Sequence, residues 1–159
     1  MSVAFTREED SEAAAANLPD RPMSTHPNLV TRAGLAQLDA ALEAAREAYA
    51  AAQHGEHTSS DRSAMARATR DLRYYAARRA SAQLRDKPSQ QSRVAFGCTV
   101  TFEHEDGQAQ QFRIVGEDEA DPSRGSVSYL SPLAQALLSK EIGDTAQVVG
   151  RQVEVLAIE

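Results

Sequence analysis

With 159 residues, the chain is long enough for one ordinary domain or two small ones, but its 5% aromatic content leaves few large side chains for a core. The single cysteine excludes an intrachain disulfide, and the net charge of −6 argues against a wholly basic surface that grips a nucleic-acid duplex. Since no apolar run approaches the ~20 residues of a membrane span, and the first residues are acidic where a signal peptide is basic, we expect a cytoplasmic protein with no membrane contact.

The charges are unevenly distributed along the chain. Residues 1–22 carry five acids against two arginines, and residues 88–159 carry eleven acids against five basic residues. Residues 62–85 have the opposite balance, with seven arginines and a single acid, Asp71. A basic segment between acidic ones indicates a partner that is bound in one defined orientation.

The first part of the chain is expected to be a disordered tail that precedes a long helix. Residues 1–28 are acidic, rich in proline towards their end and poor in apolar bulk, which is typical of a tail that cannot offset its ordering entropy. Thr31 is then predicted to cap a helix that ends near Gln53, before His54 and Gly55. Apolar residues recur along this helix at spacings of three and four, the pattern of a helix packed along another helix: Leu35, Leu38, Leu42, Ala45, Tyr49 and Ala52.

A second helix is predicted over residues 61–85, with Ser60 or Asp61 as its cap. Its expected apolar stripe consists of Met65, Ala68, Leu72, Tyr75, Ala76, Ala80 and Leu84. Two helices of similar length joined by a short polar loop predict an antiparallel coiled-coil hairpin over residues 29–86. Pro88 begins a polar stretch that we interpret as a linker over residues 87–93.

Beyond the linker the apolar residues alternate with a period of two, which indicates β-strands. Strands are predicted over residues 94–103, 110–116 and 126–130, with a last hairpin around Gly150. Ser131 and Pro132 have the residue types of the cap and first position of a short helix. The sequence therefore predicts an α+β fold, in which the helical hairpin is followed by a small antiparallel sheet domain with one short helix over residues 94–159. Cys98 is expected in the first of these strands, as a buried and unreactive thiol.

Three segments resemble the GreA/GreB family of bacterial transcript-cleavage factors. In the most specific one, Ser128 is followed after two residues by Ser-Pro, then by aliphatic residues and a Gly-Asp pair. The three segments are SYLSPLAQALLSKEIGD at 128–144, FRIVGEDEAD at 112–121 and LVTRAGLAQLDAAL at 29–42. The resemblance extends over residues 29–159 and is strongest over 94–144.

The resemblance implies an FKBP-like C-terminal domain that docks on RNA polymerase and a hairpin that enters the secondary channel of the polymerase. It places the polymerase contacts around the Ser-Pro pair, at Leu130, Ser131, Pro132 and Ala134. It also implies a protein that is not itself an enzyme and at most stimulates transcript cleavage by the polymerase. We expect the protein to be a monomer. The protein would hold no cofactor of its own, but would share a Mg²⁺ that the polymerase binds.

At the hairpin tip this sequence departs from the family pattern. In the family, the tip carries Gly-Asp-x-x-Glu-Asn, and its two carboxylates help the polymerase to bind its second Mg²⁺ and activate water. Here Gly55-Glu56 aligns with Gly-Asp, Ser59 stands at the Glu position, and Asp61 comes two residues late. Each arm also looks about two turns shorter than in the family, a difference of ~10 Å. Both departures argue against efficient cleavage.

Three interpretations of the tip remain open. It is a solvated loop between two helices, or an altered cleavage tip with Glu56 and Asp61 as metal ligands, or a transition-metal site that adds His54 and His57 to Glu56. They correspond to three functions: a factor that occupies the channel without cleavage, one that stimulates cleavage, and a metal-binding regulatory module.

The arginines of the second helix also have two interpretations. A solvated surface is the ordinary one, but seven bases against one acid also fit contacts with the 3′ end of the nascent RNA or with acidic channel walls. The candidate contacts are Arg67, Arg70, Arg73 and Arg78. Tyr74 and Tyr75 beside them would suit RNA, although a seam tyrosine with flanking surface charge is the simpler explanation.

Overall fold

The structure is a computed structural model that describes residues 18–55 and 58–159. The chain divides into two compact units, which we call the hairpin unit and the sheet unit. The hairpin unit contains residues 37–81 and the described residues before Pro27, whereas the sheet unit contains Pro27–Ala36 and Ala82–Glu159. Within the described residues, no helix is both long enough and apolar enough to cross a membrane.

The hairpin consists of helix α1, Arg32–Gln53, and helix α2, Ser59–Ser81. An ion pair between Asp39 near the start of α1 and Arg79 near the end of α2 shows that the helices are antiparallel. The predicted apolar stripe of α1 is confirmed, because Leu38, Leu42 and Ala45 are buried and its other members are half-buried. The predicted cap is confirmed as well, since the Gly34 N–H donates a hydrogen bond to Thr31 Oγ1 at 3.0 Å.

Helix α2 differs from the prediction at both ends. It begins at Ser59 after a Thr58 cap instead of Ser60 or Asp61, and it ends at Ser81 instead of residue 85. Residues beyond Ser81 leave the helix because their backbone pairs elsewhere. Strand β1, Leu29–Val30, and strand β2, Gln83–Leu84, form a two-stranded parallel sheet.

The predicted apolar stripe of α2 is wrong in its second half. Ala76 and Ala80 are exposed, and Leu84 is in β2 with 43% of its surface exposed. Ala68 is buried, as predicted, but the most buried residue of α2 is Arg78, which is 2% exposed. In the second half of α2 the buried side chain is therefore that of Arg78, whereas the sequence pattern predicted burial of Ala76 and Ala80.

Residues 18–26 form part of the hairpin unit, whereas the sequence predicted a disordered tail through residue 28. The reason is a pair of charged contacts with α2: Asp20 pairs with Arg73 at 3.2 Å, and Arg21 pairs with Asp71 at 3.6 Å. Residues 1–17, which the prediction also covers, lie outside the described residues.

Besides β1 and β2, the sheet unit contains a larger sheet of five strands in the order β5-β4-β3-β7-β6. They are β3 (Thr99–His104), β4 (Ala109–Val115), β5 (Ser126–Ser128), β6 (Thr145–Val148) and β7 (Arg151–Ile158), with helix α3 (Pro132–Leu137) between β5 and β6. The prediction of a wholly antiparallel sheet is wrong for one pair, since β4 and β5 are parallel. A connection with a 3-10 helix at Pro122–Arg124 brings the chain back so that Ser126 lies opposite Arg113 and Ser128 opposite Val115, and β5 therefore runs in the same direction as β4.

The core of the sheet unit lies between one face of the sheet and α3. Val100 and Phe102 of β3 are buried, while Thr101 between them is only half-buried, as the period of two predicted. Ala134 and Leu137 of α3 complete this core. Cys98 is fully buried, as predicted, although it lies just before β3 and not within a strand.

Candidate functional site

The hairpin tip is organised by a capping box at the start of α2. The Thr58 N–H and Oγ1 both donate to Asp61 Oδ2, at 3.1 and 2.8 Å, and the Asp61 N–H donates to Thr58 Oγ1 at 3.2 Å. The Asp61 carboxylate also packs against Gly55, where a Cβ would lie 2.7 Å from Asp61 Cγ. Asp61 therefore stabilises the helix start and the turn before it.

The predicted metal ligands divide between the described and the undescribed parts of this tip. Asp61 is in the capping box, and His54 is exposed at the end of α1. Glu56 and His57 lie outside the described residues. Within residues 18–55 and 58–159, no group of three His, Cys, Asp or Glu side chains is placed to hold a metal ion.

The four candidate arginines of α2 have different surroundings. Arg67 is exposed, Arg70 Nε lies 3.3 Å from its neighbour Asp71, and Arg73 Nη1 lies 3.2 Å from Asp20. Arg78 is only 2% exposed, so the prediction that it contacts RNA or a channel wall is wrong for this conformation. We use the term arginine face for Arg67, Arg70 and Arg73, which follow each other at intervals of three along the helix.

Two tyrosines lie beside the arginine face. The rings of Tyr74 and Tyr75 meet edge to face, with 5.2 Å between their centroids. The guanidinium of Arg21 lies 3.8 Å from the centroid of Tyr74 and 5.1 Å from that of Tyr75. Both tyrosines are half-buried, so Tyr75 combines the stripe position that its spacing predicted with exposed ring surface, and Tyr74 also keeps an aromatic surface that another group can contact.

The predicted docking segment forms the start of α3. Ser131 is the N-cap, as predicted, and its Oγ accepts a hydrogen bond from the Ala134 N–H at 3.2 Å, while Pro132 occupies the first turn. Pro132 is exposed and Leu130 is half-buried, so a partner could reach both. Ala134 has no exposed surface and belongs to the core, so its prediction as a direct contact is wrong.

Sequence reasoning did not identify the role of Glu119. This residue belongs to the acidic loop after β4, which alone suggests a solvated surface. In the structure Glu119 Oε2 accepts a hydrogen bond from Thr31 Oγ1 at 2.6 Å, and a Cβ on Gly34 would lie 2.5 Å from the same oxygen. A glycine in the first turn of α1, where it lowers helix propensity, was the one available signal of this close approach.

Comparison with known proteins relates this chain to transcription elongation factors. The family description "Transcription elongation factor, GreA/GreB, C-term" matches residues 89–159, which include most of the sheet unit. The transcription elongation factor GreA of Paracoccus denitrificans is 33% identical over 148 residues, covering 81% of this chain and 95% of that protein. This chain therefore belongs to the GreA/GreB family of transcription elongation factors.

Other matches are more local or more distant. GreA of Desulfovibrio desulfuricans is 54% identical over 57 residues, a stretch that spans 35% of each of the two chains. The crystal structure of GreA factor homolog 1 (Gfh1) of Thermus thermophilus covers 84% of this chain and 99% of its own, with 21% identity and a TM-score of 0.40.

Proposed function

We propose that this protein binds RNA polymerase at its secondary channel and modulates transcription elongation by occupying that channel. The observation that carries the proposal is the match to the transcription elongation factor GreA of Paracoccus denitrificans, which extends over 81% of this chain and 95% of that protein. In this function the sheet unit docks on the polymerase and the hairpin enters the channel.

The start of α3 is the proposed docking contact. Helix α3 packs on the core through its buried residues Ala134 and Leu137, and the Ser131 cap stabilises its first turn. Pro132 is exposed on this rigid support. A contact surface held by a packed core loses little conformational freedom on binding, which favours affinity.

The tip supports occupation of the channel without efficient cleavage. Cleavage would require carboxylates that are available to a metal ion held by the polymerase. Asp61 already accepts two hydrogen bonds from Thr58, and the family's second carboxylate position holds Ser59. A metal ion would have to compete with the capping box for this carboxylate, so stimulation of cleavage should be weak.

The proposal is tested with purified polymerase stalled in backtracked complexes. We expect the protein to displace a cleavage-competent GreA while the RNA keeps its length. RNA shortening at a rate comparable to that with GreA would contradict the non-cleaving role. If shortening occurs, Asp61→Asn and Thr58→Ala distinguish its cause. Asp61→Asn keeps an oxygen acceptor for the capping box but removes the carboxylate charge, whereas Thr58→Ala removes the hydroxyl of the capping box and keeps the charge.

The docking contact has a matched pair of variants. Pro132→Glu introduces a charge and removes the apolar ring at the start of α3, and should weaken binding to the polymerase by about tenfold or more. Pro122→Glu makes the same exchange at an exposed first position of the 3-10 helix and should leave binding unchanged. Equal effects of both variants would contradict docking through α3.

A further inference from the structure

The side chains of Asp20 and Arg21, one negative and one positive, both contact residues of α2. The Asp20 carboxylate lies 3.2 Å from Arg73 Nη1, and the Arg21 guanidinium lies over the ring of Tyr74 at 3.8 Å from its centroid. Hydrogen bonding to Tyr75 raises the pKa of Arg21 above its usual value, with smaller contributions from Tyr74 and from the nearby Asp71 carboxylate. Two adjacent residues of the tail thus contact two adjacent residues of the helix.

These two contacts have the chemistry of a bound nucleotide. An arginine that pairs with a carboxylate pairs equally with a phosphate oxygen, since both offer charged acceptors of similar geometry. A tyrosine face that accepts a planar guanidinium also accepts a planar base, and such stacking tolerates any base sequence. Arg73 and Tyr74 are neighbours in the chain, so a phosphate and a base of one strand could reach both.

We propose that Arg73 and Tyr74 form a subsite for one nucleotide of single-stranded RNA, and that Asp20 and Arg21 occupy this subsite as an internal competitor. The inference rests on the proposed function, which brings the hairpin close to the nascent RNA. An acidic protein surface would use the arginine face but would have no use for the Tyr74 ring, and for this reason the contacts favour RNA.

The competitor is held weakly enough to be displaced. The side chains of Arg73 and Asp20 are 67% and 64% exposed, so water screens their pairing. The pair between Arg21 and Asp71 is better protected, with side chains 34% and 35% exposed. Arg21 is therefore the stronger anchor, and its loss should release the segment more effectively than the loss of Asp20.

Binding of a short labelled oligouridine to the full chain, measured by fluorescence anisotropy without polymerase, tests this subsite. Arg21→Ala should bind about fivefold more tightly than wild type, because the fraction of protein with an open subsite rises. General electrostatics predicts the opposite sign, since the variant loses a positive charge. Arg151→Ala, an exposed arginine of β7, makes the same charge change and should bind no more tightly than wild type.

The double variant Asp20→Ala/Arg21→Ala keeps the net charge constant and should show the full gain in affinity. In that background Arg73→Ala should abolish the gain, whereas Arg67→Ala, an equal charge change on the same helix, should preserve most of it. An unchanged affinity of the double variant would overturn the internal competition. An equal gain in affinity for polyglutamate would overturn the nucleotide subsite, because an acidic polypeptide has no bases.

Failure of this inference is separable from failure of the proposed function. The RNA assay contains no polymerase, while docking is tested by Pro132→Glu on the intact polymerase. A protein that binds polymerase but gains no RNA affinity on release of Asp20 and Arg21 would retain the proposed function and lose the inference. If release of Asp20 and Arg21 increases RNA affinity but the protein does not bind polymerase, the inference would be retained and the proposed function lost.

Discussion

The hydroxyl of Thr31 joins the start of α1 to the loop after β4, and its removal should destabilise the protein. Thr31 is 3% exposed, accepts a hydrogen bond from the Gly34 N–H at 3.0 Å and donates one to Glu119 at 2.6 Å. Thr31→Val preserves the size and branching of the side chain but removes both hydrogen bonds. The substitution therefore isolates the contribution of the hydroxyl.

The size of the effect follows from the two lost hydrogen bonds. Loss of a helix N-cap costs about 1 kcal/mol. Loss of a hydrogen bond to a carboxylate costs about 1.5–3 kcal/mol when the group is buried, and about 1 kcal/mol here because Glu119 is half-buried and can bind water instead. We expect Thr31→Val to lower the free energy of unfolding by about 2 kcal/mol, which shifts the urea midpoint by about 1 M.

Urea denaturation followed by circular dichroism measures this change, and amide exchange at Gly34 should accelerate in the same variant. Thr31→Ser is the matched control, since it keeps the hydroxyl and loses one methyl group at a cost of about 0.8 kcal/mol. Glu119→Gln should cost less in the Thr31→Val background than in wild type, because the hydrogen bond is already absent. Equal stability of the Val and Ser variants would refute the reasoning.

Three further substitutions test contacts within the sheet unit and within the hairpin unit. Gly116→Ala should lower the urea midpoint by an amount equivalent to about 1–3 kcal/mol, because a Cβ there would lie 2.2 Å from the Leu29 carbonyl oxygen; wild-type stability would contradict this close approach. Ala134→Leu should cost a similar 1–3 kcal/mol and lower the melting temperature, since Ala134 is fully buried, and an unchanged temperature would mean that the core has spare volume. Arg79→Ala should cost less than about 1 kcal/mol, because Arg79 and Asp39 are 41% and 55% exposed, and its effect should shrink further in high salt; a larger, salt-independent loss would show that the pair is buried in solution.

Much of the fold could be predicted because its signals are local. The spacing of Leu38, Leu42 and Ala45 defines one face of a helix whatever surrounds it, and those residues are buried. The alternation of Val100 and Phe102 defines one face of a strand in the same way. Caps such as Thr31 and Ser131 act within three residues, which explains why both were predictable from sequence.

The candidate site was only partly predictable, since its surroundings depend on distant segments. The sequence located the tip, the arginines and the Ser-Pro pair, but local pattern gave no reason for Arg78 to be buried or for Asp20 to reach Arg73, 53 residues away. Exposure of a charged side chain depends on which other segment lies against it. A count of charges along one helix cannot provide that information.

The sequence by itself determined the helical hairpin, the alternating strands, the caps of α1 and α3 and the family resemblance, because each depends on residues close together in the chain. The tertiary structure decided where α2 ends, since its last predicted residues pair with β1, and it decided that Glu119 binds Thr31, 88 residues away. It also decided that Asp20 and Arg21 lie on α2, more than 50 residues away in the chain. In each of these cases, polar groups form hydrogen bonds or ion pairs with whichever partner the folded chain brings within reach, and that choice has no period or spacing in the sequence.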